Sequence, residues 1–456
     1  MSARRVMLLF LIVVFSAAIA LAATVGKRVE KSAFSADRFV AERTCRGCHK
    51  LIHGEWSGAM HASALKDPVF QAIAAALSAE AKTEAEKHEA ELCIKCHAPI
   101  AYATGVASTA AEPFSPADEH ALANIQCDFC HSVSGIHEIQ NTGHLLDPGQ
   151  GQAKPGVKRG PREDSACQYH QCEYSALHTR SAICGGCHQV RHIVYDTPLE
   201  TTYTEWLAGP YSTGDPATTV HCQDCHMRQA PGIPATGTTA RPDRPGQAAT
   251  GGPERPHVWR HRTVGGNVFV PPLLGDDGTS VRMATERLQN CAELELATDG
   301  DWRRGEMVAF KVKVNNTGAG HDIPTGVTEL RQVWLEVKIT DAGGNTLFAS
   351  GVPGDDGHLP ENTVLYHTAL GDASGKHTAN IIKADRVLFD YRIPAGGFRL
   401  ETYRFTLPQN GNGALTVNVR LLYRGLPQAI IDLLGEAAPP VPIVEMTAAS
   451  LTIAVQ

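Results

Sequence analysis

The sequence predicts an α+β multidomain protein. A mainly α or irregular region organised by five copies of one short Cys/His motif comes first, and an antiparallel β-sandwich of immunoglobulin-like type follows. Three observations predict this. The motif recurs between residues 45 and 226. After about residue 280 the hydrophobic pattern changes to period-two alternation broken by Gly, Pro, Asn and Asp. Aromatic residues make up only 6% of the 456-residue chain, so something besides Phe, Tyr and Trp is expected to fill part of the interior.

The N-terminus reads "MSARRVMLLFLIVVFSAAIALAATVGK". Arg4 and Arg5 precede an apolar run, and Ala20-Leu21-Ala22 resembles a cleavage site, so residues 1–23 are expected to be an export signal. The run is long for a signal, which keeps an uncleaved N-terminal anchor as the alternative. Either reading puts the body outside the cytoplasm, periplasmic or extracellular, where disulfides persist. With 41 basic and 48 acidic side chains and no basic run, nucleic acid is excluded as the expected partner.

Residues 24–279 form the expected motif domain. It contains "CRGCH" (Cys45, Cys48, His49), "CIKCH" (Cys93, Cys96, His97), "CDFCH" (Cys127, Cys130, His131), "CGGCH" (Cys184, Cys187, His188) and "CQDCH" (Cys222, Cys225, His226). Composition alone gives an expected count of roughly 0.02 such matches. Two thiols three positions apart reach the two vinyl groups of one haem, and the adjacent His supplies the proximal iron ligand. Zinc sites do not require a His after each Cys pair. The pattern therefore predicts five covalently bound haem c groups, whose porphyrins account for the aromatic deficit.

The far side of each iron decides the chemistry: a second His suits electron transfer, an open side suits catalysis. Sixteen histidines remain after the five proximal ones. His61, His178 and His261 sit in the most distinctive strings and lead the distal candidates. His120, His144, His170 and His321 come next, then His53, His88, His137, His221 and His257. His88 reads as a solvated helical face, and His192, His358, His367 and His377 read as surface or loop residues. His178 lies too close to His188 in sequence to wrap round one macrocycle, so it is expected to cross to a neighbouring haem. His321, in "NNTGAGHDIPTG", is either a ligand supplied by the sandwich or a hydrogen-bonded turn residue, with the turn slightly favoured. No C-x-x-C-K motif occurs, which counts against a pentahaem nitrite reductase.

Asp67-Pro68 signals a helix start, and the Ala- and Glu-rich run after it is expected to continue as one helix into the second motif. Residues 229–256, rich in Pro, Gly, Thr and Ala, read as an irregular linker. Outside the motifs, Cys167 and Cys172 in "CQYHQC" are expected to pair, with two free thiols as the alternative, and Cys291 is expected to be buried. Residues 280–456 form the expected β-sandwich, with strands in "MVAFKVKVNNTG", "RQVWLEVKITDAGGNTLFASG", "ADRVLFDYRIPAGGFRLETYRFTLP" and "ALTVNVRLLYR".

The strings "EWSGAMHASA", "IQCDFCH", "YSALHTRSAICGGCH" and "CQDCHM" resemble exported multihaem cytochromes c of the cytochrome c-554 type. "GAGHDIPTG", "VWLEVKITDAGGNTLFASG" and "RLLYR" resemble the β-sandwich appended to many such cytochromes. The resemblance implies distal ligation by His in those strings and electron transfer with other redox proteins: cytochromes, quinol-oxidising complexes or terminal reductases. It also implies homo-oligomers or extracellular filaments in some relatives. A fifth motif departs from the four-haem pattern of the namesake. The expected function is single-electron transfer through mostly bis-His haems. The alternatives are an oxidoreductase acting on a small nitrogen or sulfur compound at an open haem, and a filament subunit.

Overall fold

The computed structural model describes residues 26–107, 122–435 and 439–456. The expected export signal and His120 lie outside the described residues. No helix among the described residues is long and apolar enough to cross a membrane.

In the N-terminal half each motif rides on a short helical turn. Residues three and four apart share one face of a helix, so a turn aims both thiols and the imidazole to the same side. Glu42–Arg46 carries the first motif, Glu84–His97 ends in the second, Cys127–Ser132 opens with the third, Ala182–Gly185 starts the fourth and Cys222–His226 is the fifth. In the first and fourth motifs the His49 and His188 amides bond to the Cys45 and Cys184 carbonyls, both at 2.9 Å, so the turn runs through the imidazole.

Asp67 caps its helix as expected, accepting from the Val69 and Phe70 amides. The helix ends at Glu80, however, and a second one spans Glu84–His97. The single long helix is therefore corrected to two. Thr83 and Glu86 form a reciprocal capping box, so the chain restarts a helix there instead of continuing one. His192 is a further correction: it is 2% exposed, because Glu89 and the Ile382 carbonyl enclose it. His88, in contrast, is exposed beside Glu91.

The C-terminal half contains two large antiparallel sheets and a two-stranded antiparallel pair, Thr368–Gly371 with Arg386–Asp390. We number the strands of the two large sheets β1 (Ala292–Asp299), β2 (Met307–Asn316), β3 (Gln332–Thr340), β4 (Thr346–Ser350), β5 (Leu365–Tyr366), β6 (Phe398–Thr406), β7 (Leu415–Arg424) and β8 (Ile443–Ile453). One sheet has the order β1-β2-β6; the other has β4-β3-β7-β8, with β5 also on β3. The expected strands are present, and β1, β5 and β8 are additional. Strand β2 alternates strictly, with Val308, Phe310, Val312 and Val314 inward. These meet Val333, Leu335, Val337, Val417, Val419 and Leu421 of the other sheet in one core. Val264, Val268 and the helix Thr279–Leu288 contribute to the same core.

A buried ion cluster joins the halves. Glu205, on the helix Thr202–Ala208, accepts from the Asp322 amide at 3.1 Å and from Thr325 Oγ1 at 2.6 Å, and pairs with Arg392. These contacts hold the 321–325 loop against the motif region.

Candidate haem-binding site

A single cavity of about 1380 Å³ runs through the N-terminal half to the 321 loop. All ten motif cysteines and all five motif histidines line it, and so do His61, His144, His170, His178, His261 and His321. His53, His221 and His257 also reach it.

Hydrogen bonds fix which imidazole nitrogen carries the proton, because a ring nitrogen facing a carbonyl must donate. Nδ1 of His49 donates to the Ala248 carbonyl (2.8 Å), His97 to Ala64 (2.9 Å), His131 to Arg159 (2.6 Å) and His226 to Val264 (3.0 Å). His188 Nδ1 instead faces the Glu200 carboxylate at 3.1 Å. In the four carbonyl-bonded motifs Nε2 is left with a lone pair for a metal, the tethered arrangement that orients ligating imidazoles, and in the fourth motif Glu200 tethers His188 through Nδ1 as well. Burial lowers the pKa of His97, His131 and His226. Burial also pulls on His188, but the Glu200 hydrogen bond and charge outweigh it and raise that ring to about 9.

The same test sorts the other histidines. His170, His261 and His321 donate from Nδ1 to the Gln171, Trp259 and Asp322 carbonyls at 2.9, 3.0 and 3.0 Å, leaving Nε2 free. His144 and His178 are reversed: Nε2 donates to the Ile183 and Cys130 carbonyls, and Nδ1 is buried with no protein partner. His61 Nδ1 lies 3.3 Å from Thr263 Oγ1. Burial depresses His61, His144, His178 and His261 to about 4, so each is a neutral lone-pair donor near neutral pH. His257 and His221 instead accept backbone amides at Nδ1, which puts their proton on Nε2. His53 Nε2 is held by Glu42, and His192 uses both nitrogens on backbone groups.

Ring pairs follow. Two imidazoles facing across one metal ion stand roughly 6 Å apart between centroids, given metal–nitrogen bonds of about 2 Å. His49 and His170 are 6.4 Å apart, His188 and His61 6.3 Å, and His131 and His261 6.4 Å. His131 also faces His178 at 5.7 Å, nearly parallel at 16°. His226 interacts electrostatically with His321. His97 differs, since Phe70 stacks on its ring at 3.8 Å and 7°.

Thiols of different motifs also meet. Cys45 contacts Cys127, Cys96 contacts Cys187, and Cys184 contacts Cys222. The fourth motif thus touches the second and the fifth, while His178, just upstream of it, reaches the third. The free nitrogens fit iron. A buried, unpartnered Arg159 Nη1 at the cavity wall fits an anionic haem propionate.

Sequence reading missed several contributors. Glu200 and the carbonyls of Ala64, Arg159, Ala248 and Val264 orient the motif histidines, and Ala248 lies in the stretch read as a linker. A backbone carbonyl leaves no signature in a sequence. Cys167 and Cys172 form the expected disulfide, and Cys291 is buried.

Residues 44–132 match the family model described as "Cytochrome c554 and c-prime". The chain is similar to a penta-heme cytochrome c552 from Thermochromatium tepidum, at 20% identity and a TM-score of 0.59, over 91% of this chain and 99% of that one. It also aligns with a CARDB domain from Pyrococcus furiosus, at 12% identity over 36% of this chain and 87% of that one, with a TM-score of 0.17. A search of curated proteins found no match.

Proposed function

We propose that the chain is a multihaem c-type cytochrome, an exported pentahaem carrier that passes single electrons between redox proteins; the family match over residues 44–132 and the fold shared with a penta-heme cytochrome support this reading. Bound haem c supplies a one-electron iron couple at each site. The five Cys pairs would hold the groups covalently, and each of the five tethered motif histidines would supply an imidazole nitrogen to iron. His170 and His61 face His49 and His188, His178 and His261 both face His131, and we assign His321, which lines the same cavity and interacts electrostatically with His226, to the fifth site. We read the two sheets as an immunoglobulin-like sandwich that carries His321 to the fifth site.

One observation carries the proposal: far-side imidazoles come from segments anchored at other motifs. His61 follows the first motif but faces the fourth motif's His188; His178 precedes the fourth but faces the third motif's His131. Such crossing ties neighbouring sites together through short peptide spans, which suits electron hopping more than chemistry at an isolated centre. The partners proposed are other cytochromes, quinol-oxidising complexes or terminal reductases.

A second reading rests on His97. Among the described residues its ring is stacked by Phe70, not faced by an imidazole. An open second site would suit an oxidoreductase acting on a small nitrogen or sulfur compound. The test is ferric electron paramagnetic resonance with carbon monoxide titration of the reduced holoprotein. Low-spin signals alone and no carbon monoxide uptake support the carrier; one high-spin signal with uptake at one site supports the oxidoreductase.

A further inference from the structure

His170 occupies an unusual position for a residue facing a metal site. Cys167, Gln168, Tyr169 and Gln171 around it are all exposed. Regular structure begins only at Gln171, where a short parallel pair joins Val157–Gly160 to Gln171–Tyr174. An imidazole on an exposed loop loses substantial backbone and rotamer freedom when held at one distance from a partner ring. Yet His170 stands 6.4 Å from His49 with its ring 26° from parallel.

The Cys167–Cys172 disulfide encloses that loop. The two Cα atoms are 5.9 Å apart, within the range a bridge spans without moving the backbone. The ligand atoms of Cys167, His170 and Cys172 lie within 4.8 Å of one another. Cys172 sits opposite Lys158 in the strand pair, next to Arg159, whose carbonyl receives the His131 proton. Tyr169 Oη donates to the Gln152 carbonyl at 2.9 Å and steadies the outer side. The bridge therefore fastens the loop to a strand already locked to the third motif.

We propose that the Cys167–Cys172 disulfide is a clamp that positions His170 as the far-side ligand of the first motif's iron. This rests on the reading that His170 serves the iron held by His49. His170 is the ligand, and the two cysteines are positioning residues. His61 and His261 are held by buried packing, whereas His170 is held by a covalent bond with an exposed end at Cys167. The first site is thus the one whose sixth ligand a thiol-disulfide reaction can release.

The experiment uses the intact holoprotein, with haem content checked by the pyridine haemochrome spectrum. Carbon monoxide binding to the reduced protein and the ferric low-spin signal are compared among wild type, H170A and C167S/C172S. H170A is expected to bind about one more carbon monoxide per chain than wild type, as one sixth ligand is lost. C167S/C172S is expected to keep its haems and gain carbon monoxide affinity at that site by roughly tenfold or more, the scale on which a short-loop crosslink restricts a chain. Imidazole in solution should restore the low-spin signal in both variants, which a merely structural role would not produce. If H170A binds no additional carbon monoxide, the ligand assignment fails. If H170A gains a site while C167S/C172S matches wild type, the assignment stands and the clamp is overturned. Should the double variant fail to mature, wild-type holoprotein treated with a phosphine and alkylated gives the same readout without refolding.

Discussion

The two halves of this molecule fill their interiors by different means. Between the sheets, Phe310, Val333, Leu335, Val417 and Trp302 pack to nearly complete burial. Around the motifs, the largest apolar cluster gathers beside the second and third of them, at Ile94, Ile100, Leu122, Phe129 and Leu146, and the centre is cavity lined by thiols and imidazoles. One half carries its core in side chains; on the proposed reading the other receives its core from covalently attached haem. Stability in the first half should therefore depend on haem attachment, and in the second on packing alone.

The largest effect expected from that contrast appears in chain produced without haem attachment. Limited proteolysis should digest the motif region while a fragment carrying the two sheets survives. Trp334→Ala should then shorten the fragment's lifetime, because removing a fully buried aromatic costs about 3–5 kcal/mol. In holoprotein the same substitution should leave haem content unchanged. Equal digestion of both halves would refute the division.

The contrast also explains what the sequence revealed. The motif behind the proposed haem attachment is written in five adjacent letters, so the candidate sites could be named from the sequence at once. Alternation made β2, β3, β6 and β7 legible too. Strand β8 escaped because its outer half, "TAASLTI", is weakly apolar and alternates between partly buried and exposed positions. The break at Ala81 was legible only through the Thr83–Glu86 pair. His61, His178, His261, His144, His170 and His321 all reach the cavity, but their pairing depends on chain crossings that no local pattern encodes. His192 was misjudged for a related reason: its burial comes from Glu89 and Ile382, both remote in sequence.

A smaller effect distinguishes sites within the motif half. Four motif histidines donate to neutral carbonyls, and His188 alone donates to a carboxylate. A carboxylate partner makes the ring a stronger electron donor and favours the more positive metal state. Glu200→Gln should raise one component of the redox titration by tens of millivolts, where about 59 mV is tenfold for a one-electron couple. Potentiometry that overlays the wild-type curve would show that the carboxylate tunes nothing.

The smallest expected effect lies at Glu89, where the motif helix Glu84–His97 meets His192. Burial raises Glu89 from 4.5 to about 7, against a backbone hydrogen bond from Ile193 that pulls it down. Burial lowers His192 by disfavouring its charged form, and as pH falls below about 7 the pair becomes increasingly neutral through protonation of Glu89. A raised carboxyl pKa means that the folded state keeps its proton through a range where the unfolded state has lost it. Stability from this group is therefore present below about pH 4.5 and declines as pH rises to about 7, then levels off. His192 slopes the opposite way, since its depressed pKa favours the fold as pH rises towards 6.5. The informative quantity is thus the difference between wild type and Glu89→Gln, which keeps an acceptor for the Ile193 amide. The variant's melting temperature should exceed wild type by more at about pH 8 than at about pH 5. A difference independent of pH would mean that Glu89 is already ionised in the folded protein.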